Sequence, residues 1–261
     1  MTTTGFLVGG EPRTSSETSV VRAPHDGSEV GVYALAQPED VRAALDANVQ
    51  AGPACRKLAA YERANCLRNV TDRLRAERDQ LARTLALEAG KPIAQAKLEV
   101  DRTIFVFQDA SEEATRIEGD VLPPDVLPSG QGRLALTRRF PLSPIAGITP
   151  FNFPMLLAAH KIAPAMACGA AITLKPPPQD PLTTLRLGEL VAESGYPKGG
   201  VNIVPCHVEV AQVLIEDPRV QMITFTGSAR AGWAIRAKAG TKRVALELGG
   251  NAGVIVEPDA D

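Results

Sequence analysis

From Ser143 onward the sequence alternates short apolar runs with longer amphipathic stretches. The apolar runs do not alternate with polar residues, which indicates strands that are buried on both faces. Strands of this kind, separated by helices, are typical of a parallel sheet with right-handed crossovers and helices on both faces. The sequence therefore predicts an α/β fold. The expected strands are 144–149, 170–175, 200–205, 221–225 and 243–248, with helices over 155–168, within 176–195, and over 208–218 and 229–240.

The first 142 residues divide into three zones of different texture. Residues 1–37 contain short β-type runs, which predict an arm or a small sheet. An N-terminal helical segment follows to residue 117, because apolar residues recur there at three- or four-residue steps between start and stop signals. Its helices are expected over 38–52, 61–92 and 93–117. Residues 118–142 carry two strand-like runs between Pro and Gly residues, which predict a small β-hairpin insert.

The overall charge limits the partners of the chain. The formal net charge is -2 and the pI is near 6.0, so there is no basic excess for nucleic acid or for a membrane surface. The apolar window between Lys161 and Lys175 is too short to cross a bilayer, and the N-terminus has no secretory pattern. The cysteines show no CxxC pair and no metal-ligand spacing, which predicts free thiols, no metal site and a cytoplasmic location. They are Cys55, Cys66, Cys168 and Cys206.

One stretch matches a dinucleotide fingerprint formally. Residues 130–135 read GQGRLA, but they follow prolines rather than a buried strand, and they precede an extended run rather than a helix. The fingerprint needs a strand, a turn and a helix to present backbone N–H groups to a pyrophosphate. We therefore do not interpret 130–135 as a cofactor site.

Unusual residues stand instead directly after the predicted strands. In open parallel sheets ligands bind beyond the carboxyl ends of the strands, so these positions are candidate site residues. They are 149–152, Lys175, 205–207, 226–228 and Glu247.

Two of these positions suit a phosphorylated ligand. In the run FTGS, Gly227 permits a tight turn and Ser228 can cap the next helix, whose N-terminal N–H groups attract anions. Lys175 at the end of a strand can reach a ribose hydroxyl or a phosphate. The alternative interpretations are a plain Gly-Ser turn and an exposed lysine that merely ends a strand. Taken alone, each feature fits its alternative as well.

Two others suit proton transfer and charge stabilisation. Glu247 lies between Leu246 and Leu248, and we expect it to be embedded there, where burial would raise its pKa toward that of a useful general base. Asn152 lies in the turn PFNFP, whose prolines fix the backbone, so its amide could donate to a developing oxyanion. The alternative is an asparagine that satisfies its own turn.

The order and placement of these runs resemble the aldehyde dehydrogenase superfamily. The resemblance covers most of the chain and includes EAGKP at 88–92, PFNFP at 150–154, KIAPAMACGAAITLKP at 161–176, FTGS at 225–228 and LELGG at 246–250. It implies a Rossmann-like NAD- or NADP-binding domain that lacks the Gly-rich fingerprint. By this resemblance, 1–117 are the arm and helices of the cofactor domain, 118–142 an oligomerisation-type insert and 143–261 the Rossmann-like core.

The resemblance also implies roles for individual residues. Asn152 would donate to the oxyanion of a thiohemiacetal, and Glu247 would activate the water that hydrolyses the thioester. Lys175 would contact the adenosine ribose, Gly227 and Ser228 the pyrophosphate, and Leu248 the nicotinamide end. The full set of implied cofactor-binding residues is Ile148, Thr149, Pro150, Phe151, Lys175, Pro178, Phe225, Gly227, Ser228, Gly232 and Leu248.

The sequence departs from the family pattern at several positions. Many NAD-preferring members have a Glu three residues after the lysine, where this chain has Pro178. Without that carboxylate nothing repels a 2′-phosphate, so we expect NADP to be accepted. Residues 205–212 replace a Gly-rich stretch, which puts cofactor contacts there in doubt, and we interpret Cys206 as a small packing residue. Asn251 stands where many relatives have Lys.

The family nucleophile is a cysteine a few dozen residues beyond the LELGG glutamate, and no residue after Glu247 in this sequence is a cysteine. We therefore expect the catalytic domain to be absent here and this chain alone not to oxidise aldehydes. Two hypotheses remain. The first is part of an NAD(P)-dependent aldehyde dehydrogenase that takes a small aldehyde and is a homo-oligomer at full length. The second is a stand-alone dinucleotide-binding module or an inactive remnant.

Overall fold

The computed structural model describes residues 2–260. Within that range the strands are β1 (Phe6–Val8), β2 (Glu11–Arg13), β3 (Thr18–Arg22), β4 (Glu29–Ala34), β5 (Val121–Leu122), β6 (Ala135–Leu136), β7 (Ile145–Ile148), β8 (Ile172–Lys175), β9 (Val201–Ile203), β10 (Met222–Thr226) and β11 (Arg243–Glu247). The α-helices are α1 (Pro38–Lys57), α2 (Ala60–Ala76), α3 (Arg78–Ala89), α4 (Ile93–Glu113), α5 (Pro154–Cys168), α6 (Leu182–Ala192), α7 (Val208–Glu216) and α8 (Ala229–Lys238).

A seven-stranded sheet organises the chain, in the order β11-β10-β7-β8-β9-β1-β2. The five strands from β7 to β11 are parallel, which confirms the predicted parallel sheet. β1 and β2 extend the sheet as antiparallel strands beyond β9. The expectation of an arm or small sheet over 1–37 is therefore only partly right. β1 joins the main sheet because its three residues, 6–8, are apolar and fully buried there, whereas β3 and β4 do form a separate hairpin.

Helices cover both faces of this sheet, as the sequence predicted. α1 packs against β8, β9 and α7, while α5 and α6 pack against each other and against the strands β7, β8, β9 and β1. α2, α3 and α4 form an outer layer on α5 and α6. Strands β8 and β9 are buried along their whole length, which explains why their sequences show no alternation. The resulting fold matches the predicted α/β class with a Rossmann-like arrangement of parallel strands.

Two helix boundaries differ from the prediction. α1 continues through Gly52 and Pro53, because the following turn carries Cys55, which is completely buried, and packing overrides the stop signal. The stretch 61–92 forms two helices rather than one. They meet at Glu77, which leaves helical geometry with φ -101° and ψ 7° and accepts hydrogen bonds from Arg186 on α6.

The segment 118–142 folds as a small two-stranded element. β5 and β6 pair antiparallel, with short turns between them, so the predicted hairpin insert is confirmed. Residues 130–135 lie in this hairpin and are followed by no helix before β7, so the strand–turn–helix setting that a dinucleotide fingerprint needs is not formed there. Among residues 2–260, no helix combines the length and apolarity needed to cross a membrane.

Candidate functional site

Several of the predicted site residues lie in two adjacent rows at the carboxyl end of the parallel sheet. Ile148 at the end of β7 pairs with Lys175 on one side and with Phe225 on the other. One strand further along, Thr226 pairs with Glu247. Because these strands are parallel and in register, their carboxyl ends form one continuous edge of the sheet. The structure therefore brings the predicted residues together at that edge.

A cleft of about 330 Å³ opens at this edge between α7 and α8. Its walls are mainly apolar and its charged groups are lysines. Its lining residues include Ile148, Lys175, Ala211, Phe225, Ala231 and Ile235. A concave, mostly apolar cleft with a few placed polar groups is typical of a site for a small molecule or a cofactor.

Lys175 lines this cleft and is only 5% exposed. Its Nζ donates to the carbonyl of Pro176 at 3.1 Å, which uses one of its three donors. Burial lowers the pKa of Lys175, and the neighbouring Cys206 opposes that shift. Burial raises the pKa of the Cys206 thiol to about 11, so the thiol stays protonated near neutral pH. This agrees with the interpretation of Cys206 as a packing residue.

α8 forms one wall of the cleft, and Ala231 in its first turn is one of the lining residues. Ser228 caps the helix, because its Oγ accepts a hydrogen bond from the N–H of Ala231 at 3.3 Å. Gly227 is held by its N–H, which donates to the carbonyl of Glu247 at 3.0 Å. A Cβ at Gly227 would lie 2.6 Å from the ring of Phe225, so only glycine permits this close turn.

Two further predicted positions pack against each other behind this turn. A Cβ at Gly232 would lie 2.4 Å from a methyl group of Leu248, so the glycine allows the segment after β11 to contact α8.

Thr149 is buried, and its N–H donates to the carbonyl of Lys175 at 3.2 Å, which ties the loop after β7 to the end of β8. Phe151 is 59% exposed beyond that point, and Pro150 lies half-buried between them.

Asn152 is exposed on the loop before α5. Its Oδ1 accepts a hydrogen bond from the N–H of Phe153 at 3.1 Å, so the side chain does satisfy its own turn. This same bond fixes the orientation of the amide, whose Nδ2 donates to no group among residues 2–260. The two interpretations of Asn152 are therefore compatible, because one oxygen serves the turn and the nitrogen remains a free donor.

The expectation that Glu247 is embedded is wrong. β11 is the edge strand of the sheet, and its residues alternate between exposed and half-buried, with Glu247 on the exposed side. An edge strand has a neighbour on one side only, so the flanking Leu246 and Leu248 do not enclose the carboxylate. The argument from burial therefore does not apply in this chain. Its predicted catalytic role is a separate matter and stays a prediction.

A buried lysine near this edge was missed by the sequence analysis. Lys161 on α5 is 7% exposed, and its Nζ donates to Thr224 at 3.1 Å and to Thr226 at 2.9 Å. Burial lowers the pKa of Lys161 to about 8, and the charge of Glu247 opposes that shift. Its signal in the sequence is a charged residue within an otherwise apolar helix, although its partners on β10 could not be read from that pattern.

Buried carboxylates at the starts of α5 and α6 were also missed. Glu99 on α4 accepts hydrogen bonds from the N–H groups of Met155 and Leu156, each at 3.2 Å. Glu88 on α3 accepts from the N–H groups of Leu182 at 2.7 Å and Thr183 at 3.0 Å, and also from the Thr183 hydroxyl. Each carboxylate therefore caps a helix that is distant in sequence.

Asp180 lies next to these two carboxylates. It is 2% exposed, and its Oδ1 has no hydrogen-bond partner among residues 2–260. Burial, and next the charge of Glu88, raise the pKa of Asp180 to about 8, while Lys91 opposes the shift. Burial likewise raises the pKa of Glu88 to about 7. Within the described range, no group of three or more His, Cys, Asp or Glu side chains has the geometry to hold a metal ion.

Pro178 is the remaining predicted position. It is exposed on the loop between β8 and α6, and its carbonyl accepts a hydrogen bond from the hydroxyl of Tyr33 at 2.9 Å. The nearest acid in that loop is Asp180, which is buried among Glu88, Lys91 and Glu99.

Comparison with known proteins gives a consistent result. The profile of the aldehyde dehydrogenase family matches residues 12–261. The chain is 38% identical over 259 residues to the 3-sulfolactaldehyde dehydrogenase of Priestia aryabhattai, covering 98% of this chain and 54% of that protein. It is 37% identical over 260 residues to the succinate-semialdehyde dehydrogenase [NADP(+)] GabD of Escherichia coli, covering 98% and 53%.

The fold comparison agrees with these sequence relationships. The crystal structure of aldehyde dehydrogenase 21 from Physcomitrella patens, in complex with the reaction product succinate, superimposes with a TM-score of 0.93 at 37% identity. That match covers 97% of this chain and 53% of the other. The chain thus spans about half the length of the curated relatives it matches.

Proposed function

This chain belongs to the aldehyde dehydrogenase family, and on that premise we propose that it supplies the cofactor-binding and oxyanion-stabilising part of an NAD(P)-dependent aldehyde-oxidising enzyme. The observation that carries the proposal is that Ile148 pairs with both Lys175 and Phe225 in one row of the sheet, and that Thr226 pairs with Glu247 in the next row. Residues that the family pattern assigns to one site are neighbours at one edge.

The lining of the cleft and the helix start beside it suit the parts of a dinucleotide. Apolar walls suit an adenine ring, the Lys175 ammonium suits ribose hydroxyls or a phosphate, and the N-terminus of α8 suits a pyrophosphate. The bound cofactor would supply the hydride acceptor. The task of this chain is to hold it in place. Gly227 serves that task by bringing backbone close to the ligand without a side chain in the way.

We assign two groups to the reacting carbon. The Nδ2 of Asn152 would donate a hydrogen bond to the oxygen on which negative charge develops, and loss of such a donor typically lowers the rate about 10² to 10³-fold. Glu247 would accept the proton of the hydrolytic water. In this chain that carboxylate lies exposed at the end of the edge strand β11.

NADP is the cofactor we expect the cleft to accept. Pro178 offers no carboxylate to bind a ribose 2′-hydroxyl or to repel a 2′-phosphate. The acid two residues later, Asp180, is buried beside Glu88 and Lys91. The name of the Escherichia coli relative includes NADP(+), which supports the same expectation. Tight binding of NAD with weak binding of NADP in a titration would contradict it.

Titration of this chain with NADPH, followed by the fluorescence of the nicotinamide, tests the cofactor site. Lys175→Ala removes a charge-assisted hydrogen bond, worth about 1.5 to 3 kcal/mol, so the Kd should rise at least about 10-fold. Lys198→Ala is the matched control, because Lys198 is exposed and pairs with Glu11 on the opposite edge of the sheet. An equal Kd for the Lys175→Ala variant and the wild type would reject the proposed site.

Activity requires a polypeptide that carries this chain and reaches the length of its relatives. In that protein, aldehyde-dependent formation of NADPH should fall about 10² to 10³-fold on Asn152→Ala and remain unchanged on Asn65→Ala. Asn65 is a suitable control because it is an exposed asparagine on α2. NADPH binding without any aldehyde oxidation would favour the alternative, a dinucleotide-binding module without this chemistry.

A further inference from the structure

Lys91 connects three groups around the loop that carries Asn152. Its Nζ donates to the Glu99 carboxylate at 2.6 Å and to the backbone carbonyl of Asn152 at 2.9 Å. The same ammonium lies 4.7 Å from the centre of the Phe153 ring, in cation–π geometry. One side chain therefore contacts both residues of the turn that precedes α5.

The pair that Lys91 forms with Glu99 is well shielded from solvent. The side chain of Glu99 is 0% exposed and that of Lys91 is 14% exposed. Shielding strengthens hydrogen bonds and charge interactions, so this pair holds its geometry more firmly than a surface pair does. Lys91 is also placed by its own backbone, since Gly90 adopts a positive φ of 63° and Pro92 immediately precedes α4.

Glu99 is connected to the same turn from the other side. Its Oε1 accepts hydrogen bonds from the N–H groups of Met155 and Leu156, which are the second and third residues of α5. The ammonium of Lys91 donates to the other carboxylate oxygen, Oε2, and makes no contact with α5 itself. Its remaining contacts are with Asn152 and Phe153. These contacts are what a device for holding the turn needs.

We propose that Lys91 is a positioning residue for Asn152. Paired with Glu99, it fixes the backbone of the turn from which the Asn152 amide projects. The Oδ1 of Asn152 is already held by the N–H of Phe153, so fixing the backbone also fixes the direction of Nδ2. This inference rests on the proposed function, in which that Nδ2 donates to the oxyanion, and a misplacement of about 1 Å can cost about 10²-fold in rate.

The first test uses this chain and needs no activity. Amide hydrogen exchange is measured for peptides that cover 149–158 and for peptides in the β3–β4 hairpin. Lys91→Met should raise exchange in the first set at least about 10-fold and leave the hairpin unchanged. Lys97→Met is the matched control, because Lys97 is on α4 and forms an exposed pair with Asp79 at 3.8 Å.

Removal of one partner of a buried pair can unfold a protein, so two further variants accompany the first. Lys91→Met/Glu99→Gln removes both charges, and Lys91→Arg retains the charge and can still reach Glu99. The double variant should show the same local increase in exchange as Lys91→Met, and Lys91→Arg should show a smaller increase. The proposal would be overturned if exchange over 149–158 matched the wild type in both Lys91→Met and Lys91→Met/Glu99→Gln. An equal increase in exchange throughout the chain would also overturn it.

The second test uses the longer polypeptide and a double-mutant cycle. Lys91→Met should lower kcat at least about 10-fold while the Kd for NADPH stays within about 2-fold. In the Asn152→Ala background the same substitution should have little further effect on kcat, because Lys91 acts through Asn152. An equal loss in both backgrounds would overturn the positioning role. If the longer polypeptide oxidises no aldehyde, the proposed function fails, and the exchange experiment still decides whether Lys91 holds the turn.

Discussion

The four helices that follow the parallel strands begin in two different ways. α5 and α6 start beside buried carboxylates, those of Glu99 and Glu88, which accept hydrogen bonds from their first free N–H groups. α8 starts at the cleft with only the neutral hydroxyl of Ser228 as a cap. α7 starts there with no side-chain cap, and the acid in its first turn, Glu209, is exposed.

The difference separates helix starts that hold a carboxyl group of the protein from those that do not. A helix N-terminus carries free N–H groups and about half a positive charge. In α5 and α6 the protein satisfies both with its own carboxylates, so these helix starts are structural. In α8 no carboxylate among residues 2–260 accepts from the first N–H groups, and the cap is the hydroxyl of Ser228. The helix starts at this edge of the sheet therefore differ, and we propose that the start of α8 is the one that binds an external anion.

The largest expected effect concerns the helix starts that are capped by buried carboxyl groups. Glu88→Ala removes an acceptor that serves two N–H groups and one hydroxyl in a buried position, so we expect the free energy of unfolding to fall by about 3 kcal/mol. Glu209→Ala at the start of α7 is the matched control, and its expected change is below about 0.5 kcal/mol. Urea denaturation measures both. Equal losses in the two variants would remove the distinction between the helix starts.

The next effect is a dependence of stability on pH. The pKa of Asp180 is raised to about 8 in the folded chain, above its ordinary value of 3.8, so folding favours the protonated form. Its contribution to stability is fully present below pH 4 and is lost progressively as the pH rises toward 8. Asp180→Asn cannot ionise. This variant should therefore gain stability relative to the wild type as the pH rises, by about 3 kcal/mol between pH 6 and pH 9.

Denaturation at pH 6 and pH 9 measures that change, and Asp125→Asn, an exposed substitution in the insert, is the control. A difference between Asp180→Asn and the wild type that is the same at both pH values would show that Asp180 does not titrate in this range. The charge of Glu88 acts on Asp180 in the folded chain, so the pair should be followed together when the curves are fitted.

The site positions at the carboxyl ends of β7, β8 and β10 were largely predictable from sequence. Strand ends are marked locally, because short apolar runs stop at Lys175, at Phe225 and near Asn152. The rule for parallel sheets then places such residues on the same edge without any knowledge of long-range contacts. The registers of β7, β8 and β10 agree with that placement.

The buried carboxyl groups that cap α5 and α6 were not predictable in the same way. Glu88 is 94 and 95 residues away from the N–H groups that it caps, and Glu99 is 56 and 57 residues away. Sequence patterns report neighbours along the chain, whereas these contacts depend on how the outer helices pack on α5 and α6. The exposure of Glu247 was missed for a related reason, since its apolar neighbours in sequence did not reveal that β11 is an edge strand.

The central claim is that α8 keeps its positive end free for the phosphates of NAD or NADP, and Ser228→Asp tests it most directly. Aspartate is as good an N-cap as serine, so the free energy of unfolding should stay within about 0.5 kcal/mol of the wild type. The substitution also places a carboxylate of the protein at the start of α8, as Glu99 and Glu88 do at α5 and α6. Calorimetric titration with NADPH should then give a Kd at least about 10-fold higher, while Ser129→Asp on the exposed insert leaves it unchanged. An unchanged Kd for the Ser228→Asp variant would show that the phosphates do not bind at α8.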